Sequence, residues 1–128
     1  MNALAYHKSV SNLLGHLSEL EVSLGPTELI AMWFDDLYFP AQTRPNDSSA
    51  ESWDRGQCEW RECFTCEERA ALAKFHTAFD DEVSQLSTEW STWRSDVGWL
   101  RVSAAARVAL ESAPSMRPNK SLERTREG

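Results

Sequence analysis

Apolar residues near the start of the chain recur at helical spacing. Tyr6, Val10, Leu13, Leu17, Leu20 and Leu24 follow at intervals of 4, 3, 4, 3 and 4, which places them on one stripe of an α-helix. Leu14 widens the stripe, Gly25 supplies a left-handed stop, and Pro26 follows it as helix ends favour. The pattern predicts a helix over about 3–24. Its a/d-like spacing also suits a helix–helix seam, so Leu13, Leu17 and Leu20, if left partly exposed, would make a homodimer.

A second helix is predicted over about 28–38, with Thr27 as its cap and Leu29, Met32, Trp33 and Leu37 on one face. Phe34 and Tyr38 flank that face. Pro40 ends the helix, because the residue before a proline avoids the α region. Then "AQTRPNDSSAESW", from Ala41 to Trp53, loses all period. The next piece, "DRGQCEWRECF", alternates only weakly and reads as a short strand or irregular packing segment. Together they predict a long loop over 40–64.

Periodicity returns at "TCEERAALAKFHTAFDDEVSQL". Thr65 and Glu68 form a T-x-x-E capping box, and Leu72, Phe75, Phe79, Val83 and Leu86 make the stripe of a helix over about 66–87. The last helix, over about 96–112, buries Trp99, Val102, Ala106 and Leu110, with Ser95 or Asp96 as cap. A start at Thr88 would select another stripe: Trp90, Trp93, Val97, Leu100, Ala104 and Val108. Gly98 and the polar "STWRSD" run favour the later start. The sum is an all-α chain, a small helical bundle of about four helices in one domain over 1–113. The segment 114–128 is too poor in apolar residues to order itself and reads as a disordered tail.

Charge narrows the function. The chain carries a net charge of −7, but residues 1–113 hold nine basic and eighteen acidic side chains, while 114–128 hold four and two. An acidic body repels phosphate backbones and anionic lipid surfaces, so neither nucleic acid nor membrane is expected as a partner. No run is long and apolar enough to span a bilayer, and the N-terminus lacks the basic and apolar regions of a signal peptide. A cytoplasmic setting is expected, with the three cysteines as thiols. Six tryptophans in 128 residues are unusual. An indole buries much area yet needs a partner for its N–H, so it favours core edges and interfaces.

The ending "RPNKSLERTREG" resembles the read-through endings of proteins encoded by integron gene cassettes, in which the frame runs into the recombination site. The resemblance covers about twelve residues and implies a bacterial accessory protein carried on a mobile gene. "WFDDLY" and the F-T-x-E-E pattern at Phe64 to Glu68 also resemble segments of small bacterial proteins with no assigned activity.

Candidate chemistry is sparse. Cys58, Cys63 and Cys66 have thiolates that would suit zinc. His76 cannot join Cys66 on one ion, because ten helical residues rise about 15 Å, which leaves three thiols without a fourth ligand. Cys66 also opens a helix, the setting of reactive thiols, but Glu67 and Glu68 oppose that effect. Asp35 and Asp36 point about 100° apart on a helix and form no chelate there. A carboxylate site would have to be assembled between helices from Asp35 or Asp36 and Asp80 or Asp81, as in a small metal-dependent enzyme. No phosphate-binding, nucleophile-elbow or zincin motif occurs. The favoured expectation is a non-enzymatic binding module without a cofactor. It would show an acidic-aromatic surface to a protein partner or small ligand, in the manner of an antitoxin or immunity protein. The residues named for that surface are Trp33, Asp35, Asp36, Tyr38, Phe39, Trp53 and Trp60.

Overall fold

The computed structural model describes residues 3–20 and 25–117. It is all-α, with no strand among the described residues. Among the described residues five α-helices appear where four were expected: α1 (Ala3–Glu19), α2 (Pro26–Ala31), α3 (Ala50–Glu62), α4 (Cys66–Val83) and α5 (Val97–Ser112). No helix among the described residues is long and apolar enough to cross a membrane. α5 lies against both α4 and α1, while α3 packs on α1 and on the turn after α2.

α1 forms where its stripe predicts, and buries it: Val10, Leu13, Leu14 and Leu17 are inaccessible to solvent. The exposed seam that a homodimer through Leu13, Leu17 and Leu20 would need is therefore taken up inside one chain. The stop differs too. Leu20, not Gly25, takes the left-handed conformation (φ 54°), with its N–H still bonded to the carbonyl of His16 at 2.8 Å. A bulky residue is strained there, and burial of the Leu20 side chain offsets the strain. Leu24 lies outside the described residues. Gly25 is extended and serves as the N-cap of α2, with Pro26 at the first helical position in place of the expected Thr27 cap. What Gly25 supplies is room: a Cβ there would lie 2.5 Å from Trp90 Cζ2.

The helix begun by α2 does not run on as α to residue 38. From Met32 to Leu37 it widens into a π turn, in which Tyr38 N–H bonds the Trp33 carbonyl five residues back at 2.8 Å. In an α-helix residues five apart sit about 140° around the axis. The wider turn brings them into line, and the Trp33 and Tyr38 rings stack at 4.8 Å, 11° from parallel. Pro40 then sits in a single 3₁₀ turn, Phe39–Ala41.

The expected loop over 40–64 holds α3. Its large apolar residues are only Trp53 and Trp60, with Gly56 between them and Phe64 just past its end, so it carries no clear period. Tertiary contacts hold it instead. Trp60 is buried and donates its Nε1–H to the Leu37 carbonyl at 2.7 Å. Arg44 grips Asp54 with two hydrogen bonds, of 2.9 and 3.0 Å. At the far end Arg69 donates to the carbonyls of Arg61 and Phe64, acceptors that a helix end leaves open.

α4 starts on the predicted capping box and stops at Val83, four residues early. α5 is capped by Asp96, whose Oδ2 accepts from the Trp99 N–H at 3.3 Å. Its inner face is Trp99, Val102, Ser103, Ala106, Ala109 and Leu110. The folded body extends past the expected boundary at 113. Pro114–Met116 forms a 3₁₀ turn, Met116 is fully buried, and Ser115 reaches α4. The rest of the expected tail, 118–128, lies outside the described residues.

The core is threaded by rings in contact, from His7 through Phe64, Trp60, Tyr38, Trp33, Phe75, Phe79 and Trp99 to Trp93. Four of the six tryptophans are fully buried parts of it.

Candidate functional site

The stretch from Trp33 to Phe39 splits by residue. Trp33 and Tyr38 lie in the core, as does Trp60, so none of these three can offer its ring to a partner as expected. Asp35 and Asp36 are exposed. The Asp35 carbonyl accepts from Gln42 Nε2 at 2.7 Å, which fastens the turn after the helix. Phe39 and Trp53 are half-buried and face each other at 6.1 Å. A Cβ on Gly56 would meet Phe39 Cζ at 2.8 Å, so that glycine lets α3 close on the phenyl ring. The acidic-aromatic edge is thus Asp35 and Asp36 beside Phe39 and Trp53.

Behind it stands His76, which the sequence offered only as a partner for Cys66. His76 Nδ1 accepts the Trp33 Nε1–H at 3.2 Å, which places the imidazole proton on Nε2. Tyr38 stacks on the imidazole at 4.5 Å, and Phe34 closes another side at 5.4 Å. Burial pulls the His76 pKa below the ordinary imidazole value, against the opposing pull of Asp80. Burial also raises the Tyr38 phenol. The only hint in the sequence was His76 on the inner side of α4, one residue after Phe75.

Among the described residues Glu68 is the most buried charged side chain, at 3% exposure. Its Oε2 accepts from His7 Nε2 at 3.0 Å and from Ser115 Oγ at 2.6 Å. Its Oε1 accepts from the Thr65 N–H at 2.8 Å. Burial works to raise this carboxyl, but the hydrogen bonds from Ser115, His7 and Thr65 outweigh it and hold the group below its usual range. Ser, His and Glu are the residue types of a hydrolytic triad, in the wrong order. Serine and histidine both donate to one carboxylate, so the histidine has no contact through which to activate the serine. The cluster ties α1, α4 and the C-terminal turn together.

The cysteines stay apart in role. Cys58 and Cys66 are exposed. Cys63 Sγ donates to the Glu59 carbonyl at 3.1 Å, and burial, helped by Glu59 and Glu62, pushes its thiol up. Cys66 Sγ accepts from Arg69 Nη2 at 3.2 Å. No group of three or more His, Cys, Asp or Glu side chains is placed to hold a metal among the described residues. Asp80 and Asp81 are exposed, like Asp35 and Asp36.

The exposed large apolar side chains among the described residues lie elsewhere. Val97, Leu100 and Val108 on the outer side of α5 are 58%, 48% and 57% exposed. With exposed Ala104 between them, they form the second stripe that the sequence offered for this helix. Beside them runs a groove of about 250 Å³ between α4 and α5, lined by Ala71, Lys74, Phe75, Ala105, Val108, Ala109 and Ser112. Trp90, the other member of that stripe in solvent, is 63% exposed, with one edge against Gly25.

Comparison with known proteins adds no constraint: no family model, curated protein or solved structure matches the chain.

Proposed function

We propose that this chain is a non-enzymatic interaction module that docks a protein partner through the outer face of α5. The observation that carries the reading is the stripe Val97, Leu100, Ala104 and Val108, left in solvent beside an apolar groove. A helix with a filled inner face gains nothing for its own fold from a second apolar stripe, and contiguous exposed apolar surface marks interaction sites. The acidic edge at Asp35 and Asp36 sits on a different segment and adds charge selectivity. An antitoxin- or immunity-like accessory role in the cytoplasm, on a mobile gene, is one form such a module takes.

The test is site-specific photocrosslinking in cells, with a photoreactive residue at Val108 and, as control, at Lys8. A discrete adduct at Val108 and none at Lys8 is the expected result. No adduct at Val108, Leu100 or Val97 would sink the reading.

A further inference from the structure

We infer that the occupant of the α5 face is a second copy of this chain, docked with the two α5 helices antiparallel. The inference rests on the reading of α5 as a docking face and names its partner.

The face has both halves of a self-complementary contact. In a twofold interface, residue i meets j and j meets i. An antiparallel register in which the two position numbers sum to about 205 sets Val97 against Val108, Leu100 against Ala105, and Arg101 against Ala104. Ala105 lines the groove, together with Phe75 and Ala109. Each Leu100 is then a knob facing the other copy's hole, and the small Ala104 leaves space for Arg101.

Charge selects the same arrangement. Near the N-terminal half of the stripe stand Arg101 and, on α4, Glu82, which pair at 3.3 Å. Near the C-terminal half stand Lys74, at the groove, and Glu111, one turn past Val108. Antiparallel pairing carries Glu82 of one copy toward Lys74 of the other. It also carries Glu111 toward the N-terminal end of the other α5, where the helix dipole attracts it and the Asp96 cap repels it. Parallel pairing would set Arg101 on Arg101 and Glu111 on Glu111, which repel. Arg101, Glu82, Lys74 and Glu111 balance in sign, with Arg107 at the edge turned to the Ser18 carbonyl, although residues 1–113 hold twice as many acidic as basic side chains. A strongly basic partner would find better attraction elsewhere on the body, while a copy of the same balanced face finds it here.

The test is light scattering on the full chain after size exclusion, from low micromolar to several hundred micromolar. The expected mass rises from 14.5 kDa toward twice that value with concentration. Leu100→Glu and Val108→Glu are each expected to hold the monomer mass throughout, with unchanged helical circular dichroism, and Asp36→Asn to leave the rise unchanged. A single monomeric species of the parent chain at every concentration overturns the second copy. So does a dimer that survives both glutamate variants with its helicity intact. The crosslinking separates the two claims. An α5 adduct of a mass other than twice the chain keeps the docking face and overturns the second copy; no α5 adduct together with a monomer overturns both.

Discussion

α1 and α5 pack against each other and use their apolar residues differently. α1 has one stripe and turns it inward: Val10, Leu13, Leu14 and Leu17 are inaccessible and Tyr6 is half-buried. α5 fills an inner face with Trp99, Val102 and Ala106 and carries a second stripe in solvent. Burying a leucine contributes about 1.5–3 kcal/mol to folding, whereas an exposed one contributes little until something covers it. The inner stripes are thus set by the fold, and the outer one waits for an association.

Mutations should separate the two. Leu17→Ala opens a cavity at a fully buried position, and is expected to cost about 2–5 kcal/mol, measured as a lower urea midpoint at unchanged slope. A loss under 0.5 kcal/mol would mean that α1 is not part of the core. Next in size is Glu68→Gln, which replaces an acceptor-only carboxylate by an amide facing the His7 and Ser115 donors. It is expected to cost about 1–3 kcal/mol, with hydrogen exchange rising first at the Pro114–Met116 turn. A uniform loss without that local signature would deny the cluster its role as a tie.

Acid sharpens the contrast, because the titrating contacts lie on the inner side. His76 has a lowered pKa in the folded chain, so its contribution is complete above the ordinary imidazole value of about 6.5 and is lost as pH falls below it. Glu68 is likewise lowered; its share is complete above about 4.3 and lost below. Melting temperature should therefore begin to fall below about pH 6.5 and fall further below about 4.3. His76→Phe should flatten the upper step alone, and an unchanged upper step in that variant would assign it to another group. The smallest effect is expected outside: Leu100→Ala should change monomer stability by about 0.5 kcal/mol or less, measured by urea unfolding at low micromolar concentration.

The parts that were legible from sequence are those set by near neighbours. Thr65 and Glu68 are three residues apart and cap each other; Asp96 caps the turn that follows it. The stripes of α1, α4 and α5 needed only periodicity. α3 was hidden because its support comes from afar: Leu37 for Trp60, Arg44 for Asp54, and Arg69 at its end. The candidate surface was misplaced for a related reason. Sequence pattern shows that Trp33 and Tyr38 are large and close, but an α-helical reading points them apart, and only the wider turn sends both inward against His76. The outer stripe of α5 was visible as a pattern, yet read as a competing register for the inner one. From Val97 onward both stripes exist, on opposite sides of the same helix, while Trp93 is buried in the 3₁₀ turn before it.

That wider turn has a consequence for how the chain tolerates change in length. A π turn amounts to one residue more than an α-helix needs to cover the same rise. Deleting a single residue among 34–36 would let the segment relax to ordinary helical pitch, with its backbone bonds intact. Tyr38 would then stand four residues from Trp33, about 40° around an α-helix, so its stack on Trp33 and His76 and the Leu37 carbonyl at Trp60 would be kept. One residue added to the same turn would instead carry Tyr38 away from Trp33 and unlace the ring contacts between α3 and α4, so this is a point in the chain where loss of a residue is tolerated and gain is not.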